Sequence, residues 1–214
     1  TLYSLPTAGG TPTEVVTADK DYGIVGFDLS ADGTKLTYLE SSGCNQSRAG
    51  MGKLVFENLT DGSRRAIDFP SEPPAIIGDP VWEADGAHVD AYVRTGMQGY
   101  LARYDSTKGN SATPSSNPCG EYDPATQLTG ALDTDADGTL WFAGQTGESM
   151  QVLSCKDGQP NVELTVSVND SPTALSVSPE GEVLLTDSSG RVWVGSAGAT
   201  PKQLPIDDKI TSTT

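Results

Sequence analysis

Short runs in which apolar and polar residues alternate one for one, each closed by an acidic residue and a glycine, recur along the whole chain. Alternation of period two marks a strand with one buried face. Asp-Gly between two such runs signals a hairpin, because glycine supplies positive φ at low steric cost. Ile24–Ser30 turns through Ala31-Asp32-Gly33 into Lys35–Leu39, and Pro80–Glu83 through Ala84-Asp85-Gly86 into His88–Val93. Leu128–Asp133 turns through Asp135-Ala136-Asp137-Gly138 into Leu140–Ala143, and Ala174–Ser178 through Pro179-Glu180-Gly181 into Val183–Leu185. The turn glycines are 53, 52 and 43 residues apart.

A second hairpin follows each of these. Leu54–Asn58 turns at Asp61-Gly62, Tyr100–Tyr104 near Lys108-Gly109, Gln151–Ser154 at Asp157-Gly158, and Val192–Val194 near Ala197-Gly198. Two hairpins per period make four antiparallel strands, the unit of a propeller blade. A β-sandwich also has many short strands, but has no reason to repeat one two-hairpin phrase four times. No segment of ten or more residues carries a helical period. The pattern predicts one all-β domain over residues 1–214, with blades near 21–69, 70–116, 117–169 and 170–206. A fifth blade is expected to be closed by strands from both termini, 1–18 and 207–214, with one strand missing. The expectation is a β-propeller of about five four-stranded blades.

Charge narrows the partners. Thirteen Lys and Arg against 29 Asp and Glu give a net charge of −16, and the pI is about 4.2. Such a surface repels nucleic-acid phosphates and anionic headgroups, so no nucleic acid is expected. No stretch of 18 apolar residues is present, which excludes a membrane-spanning helix and predicts no membrane insertion. The start at Thr1, the Thr/Ser/Gly-rich composition and the acidity favour an exported domain, expected to be a monomer.

The chain resembles the TolB-type β-propeller repeats. Leu29–Leu36 and Val177–Leu184 look like that family's Ser-Pro-Asp-Gly hairpin, and Leu54–Gly62 looks like its following strand. Glu83-Ala84-Asp85-Gly86 departs by lacking the Ser-Pro start. The resemblance implies an extracytoplasmic module, secreted, periplasmic or surface-anchored. Such a module binds a peptide, protein or small ligand without catalysis, as a binding or sensor domain.

Candidate chemistry is sparse. Asp133, Asp135 and Asp137 alternate before Gly138 as at the start of a Ca²⁺ loop, but position 9 is Trp141 and position 12 is Gly144. The alternative is an ordinary acidic blade turn, and no other cofactor is expected. The single histidine, His88, has no nucleophile elbow to serve, and reads as a partly exposed strand residue. Asp28, Glu83, Asp90 and Asp133, on or near inner strands, offer a carboxylate-based glycan-active enzyme (a glycoside hydrolase) as the competing function. Trp82, Trp141 and Trp193 read as packing between blades. Two long loops are expected to form the binding face: Ser41–Gly52, with Cys44, Arg48 and Met51, and Asn110–Thr126, with Cys119, Glu121 and Tyr122. In a propeller both emerge on one face, so a Cys44–Cys119 disulfide would pin them together. Cys119–Cys155 is the rival pairing, Cys155 otherwise reading as a buried thiol.

Overall fold

Alternating runs have apolar faces to bury, and in the structure most of them bury these faces against neighbouring sheets. The computed structural model describes residues 1–41, 52–69, 75–76, 78–95, 98–108, 118–120, 127–156, 158–168 and 170–205, and all regular structure among them is strand. The chain opens with a hairpin, β1 (Leu2–Ser4) and β2 (Thr13–Val16). The first blade runs β3 (Gly23–Leu29), β4 (Lys35–Ser41), β5 (Gly52–Asn58), β6 (Arg64–Phe69), each strand antiparallel to the next. In the second blade β7 (Ala75–Ile76) and β8 (Val81–Trp82) share one edge of β9 (His88–Thr95), with β10 (Gln98–Asp105) on the other. The third blade is β11 (Gln127–Thr134), β12 (Leu140–Thr146), β13 (Ser149–Lys156), β14 (Gln159–Val166). The fourth is β15 (Pro172–Val177), β16 (Glu182–Asp187), β17 (Val192–Ser196), β18 (Lys202–Leu204).

The inner strands β3, β8, β11 and β15 stand in sequence side by side, and a separate apolar cluster fills each seam between blades. Period-two alternation divides one strand between two seams. Leu140 and Phe142 of β12 face the second blade, while Trp141 and Ala143 face the fourth. The β1–β2 hairpin covers Leu36, Tyr38 and Val55 on the outer part of the first blade. Val25, Phe27 and Leu29, on the inner strand beside them, stay 48–55% exposed. The described residues therefore supply four blades and a separate two-stranded hairpin. Residues 207–214, expected to complete a fifth blade, lie outside them, so a count of five rests on sequence alone. The same holds for the expected fourth strand of the second blade, after Lys108.

One inner strand differs from expectation. The run Pro80–Glu83 pairs only through Val81 and Trp82, and pairing resumes upstream at Ala75–Ile76. Gly78, at φ 117°, breaks the ladder between them. A Cβ at Gly78 would run into the backbone of Gly130 on the inner strand of the third blade, so only glycine allows this approach. Bulges also interrupt β3, β11 and β15, bending each inner strand around the centre.

The acidic turns are built alike. Gly33, Gly86, Gly138 and Gly181 each donate their backbone N–H to the carbonyl three residues earlier. A side chain at that earlier position caps three of these turns: Ser30 and Ser178 through their hydroxyls, Asp135 through its carboxylate.

Candidate functional site

At the centre, the ends of the inner strands and the turns that follow them enclose a cavity of about 250 Å³. Its walls carry Asp28, Glu83, Asp133 and Asp135 beside Leu29, Val177 and Pro179, and no Lys or Arg among the described residues. Asp28 and Asp133 both stand five residues before a turn glycine, and each reaches into the next blade. Asp28 accepts the Trp82 amide at 2.7 Å and its neighbour's, Leu29, at 2.8 Å. Asp133 accepts the Val177 amide at 2.6 Å and the Thr134 amide at 2.8 Å. Thr134 donates its hydroxyl to the Trp82 carbonyl at 3.0 Å, joining the second and third blades. Burial pushes both carboxyls above the usual range against these N–H donors. The charges of Asp133 and Asp79 push Asp28 further up.

Glu83 occupies the position that is a turn cap in the other blades, but its carboxyl turns aside to Asp90 and Arg103. Asp90 has a fully buried side chain and takes the Arg103 guanidinium at 3.2 and 3.3 Å, and Arg103 also pairs with Glu83. Two acids thus share one cation. Burial and the adjoining Asp90 charge push Glu83 up to about 8, so near neutral pH it carries the proton shared with Asp90. Ligand atoms of Glu83, Asp85 and His88 lie within 4.8 Å of one another, which is metal-ligating spacing. Each is already engaged, however. His88 Nδ1 meets Asp85 Oδ2 at 2.6 Å, and Glu83 holds its proton and Arg103.

The Asp133, Asp135, Asp137 triplet does not converge. Asp133 turns to the fourth blade, and Asp137 is exposed on the turn. Asp135 caps the turn through Oδ1, accepting the Asp137 and Thr139 amides, and takes the Trp141 indole N–H on Oδ2 at 2.9 Å. Burial raises its pKa, but these donors outweigh that and hold it low. In this arrangement the triplet forms an acidic blade turn, its side chains pointing apart. Asp187 repeats the arrangement, accepting the Ser189 and Arg191 amides and the Trp193 indole. This Asp-x-x-Gly-x-x-Trp spacing, at 135–141 and 187–193, is visible in the sequence but is hidden by the commoner turn pattern.

The expected Cys44–Cys119 disulfide is corrected: Cys119 pairs with Cys155, Cα to Cα 5.6 Å. The segment 118–120 runs along the β13–β14 turn, where Gly120 touches the Gly158 carbonyl. That brings Cys119 to the end of β13, into the cluster of Leu140, Phe142 and Leu153. Cys44, Arg48, Met51, Glu121 and Tyr122 lie outside the described residues. His88 is a half-buried strand residue, and all three tryptophans pack at seams.

No protein-family model and no curated protein sequence matches the chain. Among solved structures, TolB from Acinetobacter baumannii superposes with a TM-score of 0.66 at 15% identity, over 94% of this chain and 48% of that one. The oligogalacturonate lyase from Vibrio parahaemolyticus gives 0.63 at 12%, over 91% and 57%. A chain of a nidogen/laminin complex gives 0.57 at 12%, over 85% and 64%. The chain therefore spans about half the length of the TolB it resembles. These likenesses establish a TolB-like β-propeller fold.

Proposed function

We propose that this propeller is a non-catalytic binding module that takes a cationic group, such as a lysine or arginine side chain of a peptide or protein, at its central cavity. The observation that carries this reading is the wall itself: the carboxylates of Asp28, Asp133 and Asp135, no basic residue among the described residues that line it, and apolar surface from Leu29, Val177 and Pro179 for an alkyl stem. A volume of about 250 Å³ admits one side chain or a small amine rather than a run of sugars. The net charge of −16 steers basic partners toward it. The Cys119–Cys155 disulfide supports an oxidising, extracytoplasmic setting.

The competing glycan-active function needs a carboxyl free to move a proton or attack. Both oxygens of Asp28 and of Asp133 accept backbone N–H groups, and Glu83 is tied to Arg103. A direct test titrates ¹⁵N-labelled protein with a short lysine-containing peptide and its norleucine counterpart. The lysine peptide should move the amides of Trp82, Thr134 and Val177, and the norleucine peptide should not. Ala136→Lys, on the exposed rim, should weaken binding about fivefold, the worth of one like-charge contact at ~4 Å in water. Equal responses to the two peptides would refute the cationic reading.

A further inference from the structure

A second cavity, of about 170 Å³, lies in the outer groove between the first and second blades, and its chemistry is opposite in sign. Lys35 and Arg65 border it, with Phe56 and Trp82 as apolar walls. Glu57 also borders it, but its carboxylate accepts the Tyr38 hydroxyl. Tyr38 packs on the face covered by the β1–β2 hairpin, whereas Phe56 packs on the face toward the second blade.

Two donors at this seam have no acceptor among the described residues. Arg64, Arg103 and Arg191 each hold at least one carboxylate, whereas Arg65 holds none among the described residues. In a chain with more than two acids per base, an arginine without a carboxylate is out of keeping with its surroundings. Independently, the indole N–H of Trp82 is buried with no hydrogen-bond partner among the described residues, and the residue is only 3% exposed. The other two tryptophans give their N–H to Asp135 and Asp187. The Trp82 ring stands edge-on to Phe56, and the Lys35 ammonium sits 5.7 Å from its centroid while donating to the Gly86 carbonyl of the second blade.

We infer that this inter-blade groove is an anion site for a carboxylate on a short alkyl stem, held by the Arg65 fork and Lys35 beside the Trp82 ring, whose indole N–H signal reports its arrival. A planar guanidinium matches a carboxylate in two parallel hydrogen bonds. The aromatic walls suit the stem, and the space, worth roughly six waters, suits a small group. This site is separate from the central cavity, so its failure leaves the cationic reading there untouched.

Sodium propionate is the probe, and the three indole N–H signals of ¹⁵N-labelled protein are the readout, with Trp82→Phe identifying the Trp82 signal. Propionate should shift the Trp82 signal saturably and leave those of Trp141 and Trp193 in place. Arg65→Ala, at an exposed position, should weaken the response tenfold or more with the other two indole signals unchanged. Inorganic phosphate and sodium chloride at equal ionic strength are the comparison arms. A Trp82 shift that chloride reproduces, a response to phosphate alone, no shift at 50 mM propionate, or full retention in Arg65→Ala would each overturn the assignment.

Discussion

Replacing Glu83 by glutamine should change how stability depends on pH more than it changes stability itself. In the folded protein the Glu83 carboxyl is held near 8 by burial and by Asp90, against an ordinary value of 4.5. A folded-state pKa raised above the unfolded one contributes stability that is present at low pH and lost as pH rises toward the folded value. Between pH 5.5 and 7.5 the unfolded chain has released this proton and the folded chain has kept it. Stability then falls with rising pH, by roughly 2–3 kcal/mol across the window. Glutamine keeps a donor toward Asp90 and cannot ionise, so this slope should vanish in Glu83→Gln. Titrating groups outside the Glu83–Asp90 pair are common to both proteins, so the difference reports the shared proton of that pair. Urea unfolding followed by tryptophan fluorescence at pH 5.5, 6.5 and 7.5 measures it. The wild type should lose stability relative to the variant as pH rises, with the variant equal or more stable at pH 7.5. Parallel curves would refute the shared-proton account. So would a variant destabilised equally at all three values.

Three further outcomes follow from the packing. Phe142→Ala, at a fully buried position between the second and third blades, should cost about 3–5 kcal/mol in the same urea experiment. Gly78→Ala should destabilise by about 2 kcal/mol or more, because φ is 117° and the new Cβ meets the Gly130 backbone; loss under 0.5 kcal/mol would argue against that close approach. Non-reducing peptide mass mapping should recover Cys119 linked to Cys155, and Cys155→Ser should lower stability by about 2–4 kcal/mol.

The turns and strand order were legible because each depends on local chemistry. Asp-Gly pairs set the hairpins, alternation set the buried faces, and the period of about fifty residues set the blades. What escaped depends on contacts between blades. Nothing near Pro80 in sequence shows that Gly130 will press on Gly78 and split the inner strand. The cysteine pairing depended on the path of the segment 118–120, which no spacing encodes. Asp28 and Asp133 drew notice as possible catalytic acids, whereas their backbone acceptor role appears only when the next blade is in place. The Asp135–Trp141 and Asp187–Trp193 pairs were within reach of the sequence. Their identical six-residue spacing was masked by an expectation of metal ligands at alternate positions.

The Asp latch has a consequence for how such a ring could grow or be rebuilt. Five residues before the turn glycine stand Asp28, Val81, Asp133 and Ser176, so the acid occurs in the first and third blades and not in the second and fourth. The shape of the chain repeats with every blade, but this joint repeats with every second one, 105 residues apart. In assembly terms the module is a pair of blades with its own internal clasp, and neighbouring pairs meet through the Thr134 hydroxyl and the Gly78–Gly130 approach. Copying or grafting a whole pair carries each clasp with its receiving amide. Cutting between Asp28 and Trp82, or between Asp133 and Val177, leaves a carboxylate with only its own neighbour's amide.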